Sequence, residues 1–190
     1  MNRIAIFASG EGTNAQRFID YFKNNKDIRV SLVVTNSVKA NVINRAKNEG
    51  IPYLLIDRNT FYNTNKVVDE LKQKADFIVL AGFMWMVPEN LIKAFHNKMV
   101  NVHPALLPNY GGKGMYGIHV HEAVIRNKES KSGITIHFVN ENYDEGEMIF
   151  QQECIIAKDD TPESLAKKIH QLEHENYPKV VEKLLLKNIS

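Results

Sequence analysis

Short apolar runs alternate with helical stripes through the first half of this chain, and that alternation restricts the fold more than any other feature. Ile4 to Ala8 is apolar throughout, Val30 to Thr35 carries Leu32-Val33-Val34, and Ile51 to Ile56 and Phe77 to Ala81 follow. Between them, Ala15, Phe18, Ile19 and Phe22 recur at helical spacing, as do Val42, Ile43 and Ala46 ahead of Gly50, and Val67, Val68 and Leu71 within residues 64–75. Strands that are apolar along their length are buried on both faces, which a parallel sheet covered by helices provides. The order β-α-β-α-β-α-β therefore predicts a doubly wound, mostly parallel α/β sheet. Pro88 begins a further helix bearing Leu91, Ile92 and Phe95.

The second half reads differently. Gly133 to Val139 alternates, with Ile134, Ile136 and Phe138 on one side and Thr135, His137 and Val139 on the other, and Met148 to Ile156 returns as a strand. That neighbouring pair predicts an antiparallel edge on the parallel sheet. Thr161-Pro162-Glu163 opens a long last helix with the stripe Leu165, Ile169 and Leu172, and Pro178 is expected to break or kink it. With 190 residues and no repeat or linker, a single domain over 1–190 is expected.

A net charge of +2 is too small to argue for nucleic acid or an acidic membrane surface. The one cysteine, Cys154, excludes an internal disulfide and any Cys-rich zinc site, and fits a reducing compartment. No run approaches the ~20 apolar residues of a membrane span, and the N-terminus reads as a strand rather than a signal peptide. The expectation is a cytoplasmic protein with small-molecule partners, without nucleic acid or membrane.

Three stretches carry chemistry. Ser9-Gly-Glu-Gly-Thr-Asn14 joins the first strand to the first helix, where Gly12 permits close backbone approach, Thr13 and Asn14 add donors, and a helix N-terminus attracts an anion. It lacks the third glycine of a dinucleotide fingerprint and the Gly-Lys-Ser/Thr of a P-loop, so it suits a single phosphate. A tight turn with no ligand would account for the glycines alone, but Thr13 and Asn14 at the helix start favour the phosphate. Met84-Trp85-Met86-Val87 follows the fourth strand and suits either a wall for a flat apolar ligand or an ordinary core connection.

The third stretch is Asn101-Val-His103-Pro104-Ala-Leu-Leu-Pro108, where a buried strand runs into a loop stiffened by two prolines. Asn101 and His103 lie two apart and so share a face, one able to donate to an oxygen and the other to move a proton. A turn-capping Asn and a packed His account for them equally well. Asp144, two residues before Gly146, is a candidate to sit beside His103, where a carboxylate would raise the imidazole's pKa and orient it; an acidic surface turn is the alternative. His119 and His121 form a His-x-His pair with no third ligand in sight, so no metal is expected.

These stretches, together with Leu80 to Met84, His119 to Ala123, Gly133 to Val139, Asp144-Glu-Gly146 and Glu173-His174, resemble the phosphoribosylglycinamide formyltransferase family over nearly the whole chain. The resemblance implies a Rossmann-like formyltransferase fold and transfer of formyl from the co-substrate 10-formyltetrahydrofolate to the amine of glycinamide ribonucleotide. It implies that Asn101 holds the formyl oxygen, that His103 is the general acid, and that Asp144 keeps the ring charged and oriented. Gly12, Thr13 and Asn14 would take the phosphate, and His170, Gln171, Leu172 and Glu173 the glycinamide ribonucleotide. Met84, Trp85, Met86, Val87, Asn101, Asn140, Glu141, Asn142, Tyr143 and Asp144 would bind the folate, in a monomer or weak homodimer. Three departures stand out: Trp85 where many relatives carry Arg, a longer loop at Lys113 to Gly117, and Asp144-Glu-Gly in place of Asp-Gly-Gly. Related formyltransferases acting on initiator tRNA, and hydrolases of the same cofactor, carry additional domains for which this chain is expected to have no room. A non-catalytic nucleotide-sugar binder would not need His103.

Overall fold

The first strand, β1 (Asn2–Phe7), has Ile4 to Phe7 wholly buried, as its apolar run requires. It pairs in parallel with β2 (Ile28–Thr35) on one side and β4 (Phe77–Leu80) on the other, with Ile6 facing Val33 and Val79. A computed structural model describes residues 1–187. They fall into two compact units, 1–100 with the segment from Val181, and Asn101–Val180.

In the first unit, α1 (Thr13–Phe22) buries Ala15, Phe18, Ile19 and Phe22, the four residues of its sequence stripe. α2 (Val42–Asn48) ends before Gly50, whose φ of 66° is the left-handed conformation that closes a helix, with the Ile51 amide donating back to the Ala46 carbonyl. β3 (Tyr53–Leu55) is shorter than its apolar run and pairs in parallel with β2. α3 (Arg58–Asn63) is an element that periodicity did not reveal: it is only six residues long, and Asp57 caps it by accepting from the Asn59 and Thr60 amides. α4 (Lys66–Lys74) buries Val67, Val68 and Leu71 as expected. Pro88 lies at the N-cap of α5 (Glu89–Ala94), one residue before the expected start.

β5 (Met99–His103) leads into the second unit, which holds α6 (Ile118–Arg126), β6 (Lys131–Phe138), β7 (Met148–Ile155) and most of α7 (Pro162–Lys187). Among the described residues the sheet order is β3-β2-β1-β4-β5-β6-β7. β6 and β7 are antiparallel with β7 at the edge, so the fold is a doubly wound, mostly parallel α/β sheet with an antiparallel edge. The order reverses between β1 and β4, and in such sheets the loops at the carboxyl ends of the strands flanking that point face ligands. α7 runs through Pro178, so of the expected break or kink the break does not occur. Proline removes one amide donor, but Tyr177 and Val181 on either side are fully buried and keep the turn helical.

Candidate active site

The two loops at the reversal point brace each other. The Ser9 amide donates to the Gly82 carbonyl at 3.0 Å, and the Ser9 hydroxyl accepts from the Met84 amide at 2.9 Å. Arg45 Nε of α2 donates to the Glu11 carbonyl at 2.6 Å. Gly12 caps α1 at φ 69°, and a Cβ there would meet the Val42 side chain at 2.5 Å, so packing on α2 alone demands glycine. Thr13 is exposed at the first position of the helix, where backbone amides lack intrahelical acceptors. This loop can hold an anion by its amides, with Asn14 half-buried behind.

Of the apolar stretch 84–87, two side chains turn inward and two outward. Trp85 packs 5.8 Å from Phe61, 6.0 Å from Tyr62 and 6.4 Å from Phe83 between ring centres, with the Arg58 guanidinium 5.3 Å over its ring. Val87 is buried, whereas Met84 is 53% exposed and Met86 41%. The aromatic cluster anchors the segment through Trp85 and leaves the two methionines available to a ligand.

The second unit gathers four polar side chains. Asn101 and His103 share a face, as their spacing predicted, and there Asn101 meets His137 and His103 meets Asp144. His103 Nδ1 lies 3.4 Å from Asp144 Oδ2, and the other carboxylate oxygen lies 3.6 Å from His137 Nε2. The Asn101 amide nitrogen is 3.3 Å from His137 Nε2. His103 Nε2 donates to the Tyr110 carbonyl at 2.7 Å, since a carbonyl can only accept. That commitment leaves Nδ1 as the working nitrogen. Asp144 has φ 56° and accepts from the Gly112 amide at 3.0 Å, so its side chain turns inward from a turn whose neighbouring residues are exposed.

The electrostatics correct one expectation. Burial pushes the His103 imidazole below its ordinary pKa and outweighs Asp144 and the Tyr110 carbonyl, which both raise it; His137 lowers it further. Asp144 acts in the direction expected of a carboxylate but does not win, because His103 is only 3% exposed. Burial raises Asp144 in turn, yet His137, His103 and the Gly112 amide together hold it below the usual carboxylate value, so it is ionised.

The loop that aims His103 is clamped by side chains that motif reading missed. The fully buried Thr135 hydroxyl donates to the Ala105 carbonyl at 2.7 Å and accepts from the Leu107 amide at 3.0 Å. Gln151 Nε2 donates to the Leu107 carbonyl and to the same hydroxyl. The Tyr110 phenol, held by Glu129 and Asn127, fixes the residue whose carbonyl receives His103. The alternation in β6 was the available signal, because it put Thr135 and His137 on one face.

The remaining expected residues are placed less uniformly. Asn140 accepts from the Asn142 amide, and Glu141, Asn142 and Tyr143 are exposed around Asp144. On α7, His170 and Gln171 are exposed and Leu172 is half-buried, while Glu173 is buried one turn from the wholly buried Tyr177. Four consecutive helical residues point in four directions, so their side chains meet different surroundings.

His121 is buried, with an Nδ1 that has no hydrogen-bond partner among the described residues. Burial, then His170 and His103, lower its pKa to about 4. The unfolded chain therefore binds this proton below about pH 6.5 and the native chain does so only near pH 4. The contribution is complete above the unfolded value and lost as pH falls through this window, on the order of 3 kcal/mol. Urea unfolding at neutral and mildly acid pH checks it: His121→Leu flattens the acid loss, and an unchanged slope contradicts the assignment.

Among the described residues, no group of three His, Cys, Asp or Glu could hold a metal ion, and no helix is long and apolar enough to cross a membrane. Residues 2–181 match the formyl transferase family. The chain is 39% identical over 188 residues to a chloroplastic phosphoribosylglycinamide formyltransferase of Arabidopsis thaliana, covering 94% of this chain and 64% of that relative. It is 33% identical over 191 residues to phosphoribosylglycinamide formyltransferase of Bacillus subtilis, covering 97% of this chain and 95% of that one. The crystal structure of the Bacillus halodurans phosphoribosylglycinamide formyltransferase superposes with a TM-score of 0.86 at 39% identity, covering 96% of this chain and 95% of that chain. Sequence and fold agree, and the chain belongs to the formyl transferase family.

Proposed function

We propose that this chain transfers the formyl group of 10-formyltetrahydrofolate to the amine of N1-(5-phosphoribosyl)glycinamide, a step of de novo purine (IMP) biosynthesis. The observation that carries this reading is the Asn101-His103-Asp144 cluster around the buried His103, in which His103 Nε2 is tied to the Tyr110 carbonyl and Nδ1 faces the carboxylate. The likeness to enzymes named for this reaction supplies the substrates.

The amine attacks the formyl carbon and the carbonyl electrons move to oxygen, giving a tetrahedral intermediate. An Asn101 N–H donates to that oxygen, and protonated His103 stabilises the charge and acts as general acid. The intermediate collapses by breaking the bond from carbon to N10 of the folate. N10 takes up a proton as the amine loses one, with Asp144 orienting the ring and aiding the relay. Gly12, Thr13 and Asn14 take the ribonucleotide phosphate, and Glu173 with its neighbours the glycinamide ribonucleotide. Met84 to Val87 and Asn140 to Asp144 hold the pterin. The substrates are small molecules, and the protein acts as a monomer or weak homodimer.

Asp144→Asn tests the electrostatics. Asparagine tolerates the left-handed backbone at this position. Losing the carboxylate lowers the His103 pKa further, so less of the acid form is present at neutral pH. Turnover falls there by about 10- to 100-fold, less than the ~10²–10⁴ of outright loss of a general acid because the His103 ring itself remains. The alkaline decline of the pH–rate profile moves to lower pH; an unmoved decline contradicts the role.

The substrate is tested by supplying 10-formyltetrahydrofolate with the ribonucleotide, with charged initiator tRNA, or with water alone. Release of tetrahydrofolate that depends on the ribonucleotide is the expected result. Dependence on tRNA, or release in water alone, overturns the reading in favour of a tRNA formyltransferase or a hydrolase. No release in any arm favours a binding module.

A further inference from the structure

We infer that His137 is a positioning residue that decides which edge of the Asn101 amide is presented to the reacting carbonyl. The inference rests on the reading of Asn101 as donor to the formyl oxygen and extends it to the residue behind. His137 Nδ1 lies 2.8 Å from the Phe138 carbonyl oxygen. A carbonyl only accepts, so Nδ1 carries the hydrogen, and in the neutral ring Nε2 is bare.

That bare nitrogen faces the Asn101 side chain at 3.3 Å and can only accept from it. The amide must therefore turn its NH2 group toward the ring. The opposite rotamer would set the amide oxygen against the Nε2 lone pair. Because the amide is planar, fixing one N–H fixes the direction of the second, which is the donor left for a ligand. The Asp144 oxygen 3.6 Å from Nε2 accepts a hydrogen bond only from a doubly protonated ring, and in the neutral ring Asn101 is the donor that Nε2 faces.

Several features hold this tautomer. The His137 ring is buried, which limits competing water. The Phe138 amide donates to the Glu147 carbonyl at 2.9 Å, fixing the residue whose carbonyl receives Nδ1. Gly146 lies so close that a Cβ there would stand 1.7 Å from the Phe138 oxygen and 3.4 Å from His137 Nδ1. The β6–β7 register also shifts between Ile136 and His137, the kind of irregularity that re-aims a side chain.

Two substitutions separate positioning from mere packing. His137→Gln places an acceptor near the former Nε2, whereas His137→Asn keeps a donor near Nδ1 for the Phe138 carbonyl and leaves Asn101 without its acceptor. The Asn variant should lose about 10- to 100-fold in kcat with KM little changed, the scale of a misdirected catalytic group. The Gln variant should recover most of it, and adding His137→Asn to Asn101→Ala should cost nothing further. An Asn variant as active as the Gln variant, or losses that multiply in the double variant, overturns the positioning role while Asn101→Ala remains impaired. Near-normal turnover of Asn101→Ala instead overturns the reading of Asn101 itself, and the inference with it. Nitrogen-15 spectra of the wild-type ring give a readout independent of turnover: Nδ1 protonated with Nε2 bare is expected, and a ring protonated on Nε2, neutral or charged, overturns the inference.

Discussion

Replacing His103 with Ala lowers turnover by at least ~10²-fold, the lower range for a lost general acid, and leaves the chain folded. The ring ties two parts of the cluster together, through Nε2 to the Tyr110 carbonyl and through Nδ1 to Asp144. Folding survives because the loop after β5 has its own supports in Thr135 and Gln151, and Asp144 keeps the Gly112 amide. Steady-state rates beside circular dichroism and thermal melts separate the two effects. A folded variant with near-normal turnover would remove His103 from the mechanism.

Asn101→Ala has the other large effect. An amide that donates to an oxygen acts mainly once that oxygen carries negative charge, so its loss raises the barrier more than it weakens binding. Removing one donor of this kind costs about 10²–10³ in kcat. KM should move far less, as expected when an interaction forms in the transition state. A variant in which KM rises and kcat holds would make Asn101 a binding residue instead. Asn101 is only half-buried, so its truncation leaves a smaller packing defect than that of His103.

Much of this arrangement was legible in the sequence because it depends on local geometry. The stripe of α1, the apolar strands and the two-residue spacing of Asn101 and His103 follow from the periods of helix and strand. Gly146 marked an inward fold near Asp144, and the structure places Asp144 with its carboxylate against both imidazoles. What was not legible depends on register and burial. His137 was visible as one residue of an alternating face, but alternation does not say which strand lies opposite, so its contact with Asn101 was hidden. The Thr135 and Gln151 clamp was hidden for the same reason.

The pKa of His103 shows the same division. A neighbouring carboxylate can be guessed from sequence and its sign is right, but the larger opposing effect is desolvation, which only tertiary packing sets. Pro178 is a further instance, since a local helix breaker is overridden by the burial of Tyr177 and Val181 beside it. Trp85 is held by Phe61, Tyr62, Phe83 and Arg58, contacts between segments that the apolar run Met84 to Val87 alone did not reveal.

Transfer, rather than binding or hydrolysis, is the central claim, and following the formyl carbon tests it most directly. Wild-type protein is supplied with 10-formyltetrahydrofolate labelled with carbon-13 at the formyl group, together with N1-(5-phosphoribosyl)glycinamide, and the products are resolved by NMR. The account predicts that the label appears on the glycinamide nitrogen in equal amount to the tetrahydrofolate released. Label recovered as free formate, or retained on the folate while the ribonucleotide stays unmodified, would contradict it.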